Sequence, residues 1–162
     1  AAFGFGVTPQ QIERGIRETH WPGRFQVVPP SPATCHHEVV LDVAHNPAGA
    51  WALRAALSEN FPDRPLTFVF GAMRDKAIEE MAEILFPIAE QVVVAHVNNP
   101  RAAAVDELMQ AGMRTGAQLY PAKSVPEALE KALELTMPQG VIVVTGSIFL
   151  VGEAMSVMGL KA

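Results

Sequence analysis

The chain has 162 residues, one domain's length, and is 49% apolar and 18% charged, which excludes wholesale disorder. A formal charge of −5 excludes a non-specific nucleic-acid binder, because phosphates need a basic face. The lone Cys35 excludes an internal disulfide, and no stretch reaches the roughly 20 apolar residues of a membrane span, so a reducing, cytoplasmic setting is expected.

The opening AAFGFGVTPQ has no basic region before an apolar run, so no signal peptide is visible. It also lacks a starting Met, as expected of a piece of a longer chain. TPQQIERGIRE (8–18) predicts a short helix with Thr8 as N-cap and Pro9 in the first helical position, broken by HWPGR. RFQVV (24–28) and EVVLDV (38–43) read as strands of a hairpin, joined by PPSPATCHH, whose prolines forbid a regular element. From there helix and strand alternate. NPAGAWALRAALSEN is a helix, LTFVFGA (66–72) a strand, and DKAIEEMAEILF a helix with Ile78, Met81, Ala82 and Leu85 on one face. QVVVAHV (91–97) is a strand, RAAAVDELMQAG a helix stopping at Gly112, and AQLYPA a weak strand. SVPEALEKALEL is a helix from Ser124, VIVVTG (141–146) the last strand and SIFLVGEAMSVMG the last helix. Near-continuous apolar strands alternating with amphipathic helices predict a doubly wound α/β domain. Its sheet is mostly parallel and Rossmann-like, with helices on both faces and an antiparallel strand at its start.

In such sheets ligands bind beyond the carboxyl ends of the strands. Polar groups collect there in Asp42-Val-Ala-His45-Asn46, in Gly71-Ala-Met-Arg74-Asp75-Lys76, and in Thr145-Gly146-Ser147. Asn46, Asp75 and Ser147 are all residue types that cap helices, and that role alone accounts for each of them. Asp42 and His45 are not needed for a cap. Pairing the first two strands around Ala33 brings Arg24 and Asp42 to one rim, as a salt bridge or as a cation for phosphate beside a carboxylate for ribose hydroxyls. His36, His37 and Glu38 alternate faces on a strand and make no metal site, while His96 reads as an edge histidine and Trp21 and Trp51 as packing residues. TGSIF lacks the G-x-S-x-G elbow, so Ser147 is no hydrolase nucleophile. No G-x-x-x-x-G-K-[ST] and no G-x-G-x-x-G after a strand occurs, so any nucleotide touched here is cradled elsewhere.

WPGRFQ (21–26), LDVAHNPAGA (41–50), VFGAMRDKAIEEM (69–81) and VTGSIFLVGEAM (144–155) together resemble the C-terminal domain of the folylpolyglutamate synthase / dihydrofolate synthase family, within the Mur ligase superfamily. The segments occur in family order over almost the whole chain. The resemblance makes residues 1–20 the tail of a preceding ATPase domain, His20–Gly23 a hinge, and 21–162 the glutamate-ligase domain. It implies an enzyme that activates a carboxylate with ATP as an acyl phosphate, which the amine of glutamate then attacks. The P-loop and Mg2+ ligands are implied in the upstream ATPase domain, and no catalytic group in this domain alone. Carried over, Arg24 contacts phosphates, Asp42 holds the ribose, and His45, Ser147 and Lys76 line the glutamate side. Ala77 departs from the pattern, since an acidic residue usually follows the DK pair. The partners implied are that upstream domain, glutamate and a pteroate or folate acceptor, in a monomer. Two rival readings are another Mur-type amino-acid ligase and a free-standing α/β module for a small anion or nucleotide.

Overall fold

The computed structural model describes residues 6–19 and 21–160. Residues 1–5 and His20, which fall in the expected linker and hinge, lie outside the described residues, as do 161 and 162. Helix α1 (Pro9–Glu18) starts with a reciprocal capping box between Thr8 and Gln11, as its sequence predicts, and buries none of its residues. Six strands then form one sheet: β1 (Gln26–Val28), β2 (Glu38–Asp42), β3 (Leu66–Phe70), β4 (Gln91–Ala95), β5 (Gln118–Ala122) and β6 (Val141–Thr145). Their order is β1-β2-β6-β3-β4-β5, and only the β1–β2 pair is antiparallel. This is the doubly wound α/β sheet that the alternation of elements predicts.

Every residue of β3 and β6 is buried, as strands covered on both faces must be. Residues two apart share a face, so the apolar runs split into two cores. Val40, Phe68, Phe70 and Val143 pack under α2 (Pro47–Asn60), α3 (Ile78–Leu85) and α4 (Val105–Met113). Val39, Leu41, Val69 and Val144 pack on α5 (Val125–Leu135) and α6 (Ile148–Val157). At the amino ends of the strands the half-buried pair Arg64–Glu38 closes the sheet, and Arg64 also donates to the Gln139 carbonyl at 2.7 Å. The chain leaves β2 and β3 for one face and β6, between them, for the other. The carboxyl end of β6 is therefore the point where the winding reverses, and a crevice opens at such a point.

Helices α3 and α4 have ends that differ from the sequence reading. Helix α3 begins after Ala77, with no side-chain cap, so Asp75 does not cap it; the Lys76 amide is already taken into a turn on the Met73 carbonyl at 3.1 Å. Gly112 lies inside α4 rather than at its stop. A Cβ there would come within 2.8 Å of Leu119 and 2.9 Å of Phe86, so the glycine serves close packing against β5.

Candidate functional site

The rim of the site starts with a tight turn. The Arg24 amide donates to the Trp21 carbonyl at 3.2 Å, with Pro22 fixing one corner and Gly23, at φ +74°, supplying the other. The Gly23 carbonyl accepts from the Val43 amide at 2.8 Å, which stitches the turn to the end of β2. Arg24 is exposed and its guanidinium lies 4.6 Å from the centre of the Trp21 ring. Trp21 and Trp51 are 63% and 57% exposed, so neither is the packing residue the sequence suggests; each carries an arginine on its ring.

Asp42 ends β2 half-buried, and both of its oxygens are held. Oδ2 accepts from the Phe25 amide at 2.9 Å and Oδ1 from the Ala44 amide at 2.8 Å. Phe25 adopts φ +43° to make that bond, a left-handed conformation that a bulky residue rarely takes. Arg24 and Asp42 form no ion pair, although the β1–β2 register brings them to one rim. The carboxylate is thus oriented by backbone, with a lone pair left on each oxygen for an outside donor.

Next along the chain, the Asn46 side chain accepts from the Gly49 amide at 2.8 Å and caps α2, as its position before Pro47 predicts. His45 is exposed, and its Nδ1–H donates to the Val43 carbonyl at 2.9 Å, which leaves Nε2 as the acceptor of the neutral ring. Arg24, Asp42, His45 and Asn46 line one open cleft of about 520 Å³ beside the first turns of α2.

The other two expected site residues stand apart from that cleft. Ser147 is only 2% exposed and caps α6, its Oγ accepting from the Phe149 amide at 3.1 Å. Its turn is tied to the β2 end, because the Gly146 amide donates to the Ala44 carbonyl at 3.1 Å and Thr145 sits in register with Asp42. Lys76 is half-buried and pairs with Asp75 at 3.3 Å. That hydrogen bond holds the Asp75 carboxyl below its ordinary range, and the positive field of Arg101 adds to the effect. Asp75 therefore stays ionised through the neutral range and Lys76 keeps a standing partner.

Two cations went unassigned by sequence reasoning. Arg74 sits in the β3–α3 turn and Arg101 in the β4–α4 loop, and the two loops are zipped by the Arg74 amide on the Arg101 carbonyl at 2.8 Å. The Met73–Ala102 bridge and the Arg74 guanidinium on the Ala102 carbonyl at 3.3 Å complete that contact. Arg24, Arg74 and Arg101 make no ion pair among the described residues. In an acidic chain, the carboxyl rim of the sheet is thus a place of unpaired positive charge, suited to anions. Among the described residues no group of three His, Cys, Asp or Glu is placed to hold a metal. No helix among the described residues is long and apolar enough to cross a membrane.

The model of the family "Mur ligase, glutamate ligase domain" matches residues 23–148. The chain belongs to the Mur ligase family. Within this glutamate ligase domain, the sequence is 37% identical over 150 residues to a probable bifunctional folylpolyglutamate synthase/dihydropteroate synthase of Halobacterium salinarum, covering 92% of the chain and 18% of that protein. It is 31% identical to the dihydrofolate synthase/folylpolyglutamate synthase of Mycobacterium tuberculosis, over 98% of the chain and 36% of that protein. The fold matches Mycobacterium tuberculosis folylpolyglutamate synthase complexed with ADP and AMPPCP at a TM-score of 0.86 and 29% identity, covering 99% of the chain and 37% of that structure. It also matches the bifunctional Yersinia pestis enzyme complexed with AMPPNP and a Mn ion, at 0.82 and 27%, over 97% and 36%. The glutamate ligase domain therefore spans between about a sixth and just over a third of the relatives' length, from 18% to 37% in these.

Proposed function

We propose that the chain is the C-terminal domain of an ATP-dependent ligase that adds L-glutamate to a pteroate or folate acceptor through an acyl phosphate. One observation carries the reading: Asp42 is held by two backbone amides at the mouth of a cleft whose other rim is the unpaired Arg24. A carboxylate fixed in this way accepts the paired hydroxyls of a ribose, and a free guanidinium beside it pairs with phosphate. We assign His45, which shares that cleft, and Ser147 and Lys76, which stand outside it, to glutamate binding. The reading puts the P-loop and Mg2+ ligands in a preceding ATPase domain, with residues 1–20 as that domain's tail and 21–162 as the part that closes over the nucleotide.

The test uses the complete enzyme, followed by glutamate-dependent phosphate release from ATP with a pteroate or folate acceptor. Arg24→Ala lowers turnover and Asp42→Ala raises the KM for ATP, each about ten- to a hundredfold for a lost charge-assisted bond of roughly 1.5–3 kcal/mol. Wild-type kinetics in both variants would mean that the cleft is not the nucleotide site.

A further inference from the structure

The backbone around Arg24, the proposed phosphate cation, is tied on both sides. Its own amide donates to the Trp21 carbonyl at 3.2 Å, and the Gly23 carbonyl before it accepts from the Val43 amide at 2.8 Å. The Gly23 amide donates to Gln26 Oε1 at 2.9 Å, and the Phe25 amide to Asp42 Oδ2 at 2.9 Å. The Arg24 backbone is thereby set relative to the Asp42 carboxylate. Its side chain is not set in this way. It is exposed and makes no ion pair among the described residues, and an arginine so placed has many rotamers open to it.

The group that stands against the guanidinium is the Trp21 ring, with its centre 4.6 Å away. Two other arginines lie over rings without depending on them. Arg54, 5.5 Å from the Trp51 ring, also donates to the Ile84 carbonyl at 2.7 Å. Arg64, 5.3 Å from the Phe61 ring, also pairs with Glu38. Arg24 lies closer to its ring than either. The kind of anchor matters for a cation that must bind an anion. A carboxylate would occupy N–H donors and cancel the charge, whereas an aromatic face attracts the cation through its quadrupole and leaves the donors free. Trp21 is 63% exposed, so the core of this domain does not account for the ring.

We propose that Trp21 is a positioning residue for the ligase reaction, holding the Arg24 guanidinium at the mouth of the Asp42 cleft with its donors free for phosphate. The assignment rests on the reading of Arg24 as the phosphate cation and adds the group that orients it.

The experiment is a double-mutant cycle in the complete enzyme, read as kcat for glutamate-dependent phosphate release from ATP. Trp21→Leu lowers kcat about two- to fivefold, the scale of an exposed cation–π contact, and up to roughly thirtyfold where the closed site excludes water. Trp21→Phe keeps a ring face and recovers part of the loss. In an Arg24→Ala background Trp21→Leu has no further effect, because the ring acts only through the guanidinium. Melting midpoints are followed in parallel, and Trp21→Phe runs the same cycle if Trp21→Leu melts below the assay temperature. Wild-type kinetics in Arg24→Ala overturns the phosphate reading and this assignment with it. An impaired Arg24→Ala enzyme with unchanged kcat in Trp21→Leu, or with an equal Trp21→Leu loss in both backgrounds, overturns the positioning role alone.

Discussion

Asp42 and Thr145 are neighbours in register, and their polar atoms have opposite fates. Asp42 is half-buried with an amide on each oxygen, whereas the Thr145 hydroxyl is fully buried and finds no partner among the described residues. An unmade buried hydrogen bond costs about 1–3 kcal/mol, and replacing the group by an apolar one of the same shape removes that cost. Thr145→Val should therefore raise the melting midpoint of the complete enzyme or leave it level. A clear drop would show that the hydroxyl is bonded in solution. Asp42 responds in the other direction. Asp42→Asn keeps the shape but turns an NH2 toward one of two amide donors, so the midpoint falls together with ATP affinity. These two residues also mark what sequence could and could not say. Asp42 was legible because an acid that ends an apolar run serves neither the core nor the α2 cap. Its two amide bonds were not, since one of them depends on Phe25 taking a left-handed φ that no residue type announces. Ser147 was legible as a cap, but not its near-complete burial, which follows from the close approach of the β6 and β3 ends.

That approach is a property of elements. Gly146, at φ +112°, has no room for a Cβ, which would lie 2.7 Å from the Gly71 carbonyl and 2.8 Å from the Phe70 ring. Overpacking costs about 1–3 kcal/mol and a strained backbone about as much again, so Gly146→Ala should unfold the domain at a markedly lower denaturant midpoint. A midpoint equal to wild type would mean that the β6–α6 turn yields freely, and then it cannot hold Ser147 at a fixed depth. The order of elements was readable from the chain because apolar runs and amphipathic segments alternate so regularly. The positions of their ends were not. Helix α4 starts at Val105 and not at Arg101, since residues before it are drawn into the bridge to Met73, a contact between loops distant in sequence. Arg101 was hidden for the same reason: read as the first residue of a helix it is an ordinary surface charge, and only the bridge sets it beside Arg74. Ile12 and Ile16 of α1 are one helical turn apart and 53% and 74% exposed, an apolar stripe that nothing among the described residues covers.

At the scale of the whole molecule, the rim supplies acceptors and cations but encloses nothing. The cleft at Asp42 and the hollow at Arg74 are both open, and the chain has no glycine-rich cradle for a triphosphate. Amide formation from an acyl phosphate depends on holding it and the amine together with water kept out, worth up to about 7–11 kcal/mol when orientation is good. A single wall facing solvent forgoes most of that. The 162-residue chain alone is therefore expected to release no phosphate from ATP in response to glutamate and a pteroate or folate acceptor. Titration calorimetry should find its ATP binding weak or absent, because the contacts proposed for this chain are only Asp42 to the ribose and Arg24 to phosphate. Restoring the upstream region in one polypeptide should restore turnover, and supplying it as a separate chain should do so only at high concentration, since the tether sets the effective concentration of one wall at the other. Glutamate ligation by the isolated chain at a rate near that of the complete enzyme would show that the site is whole within these residues and that no second wall is needed.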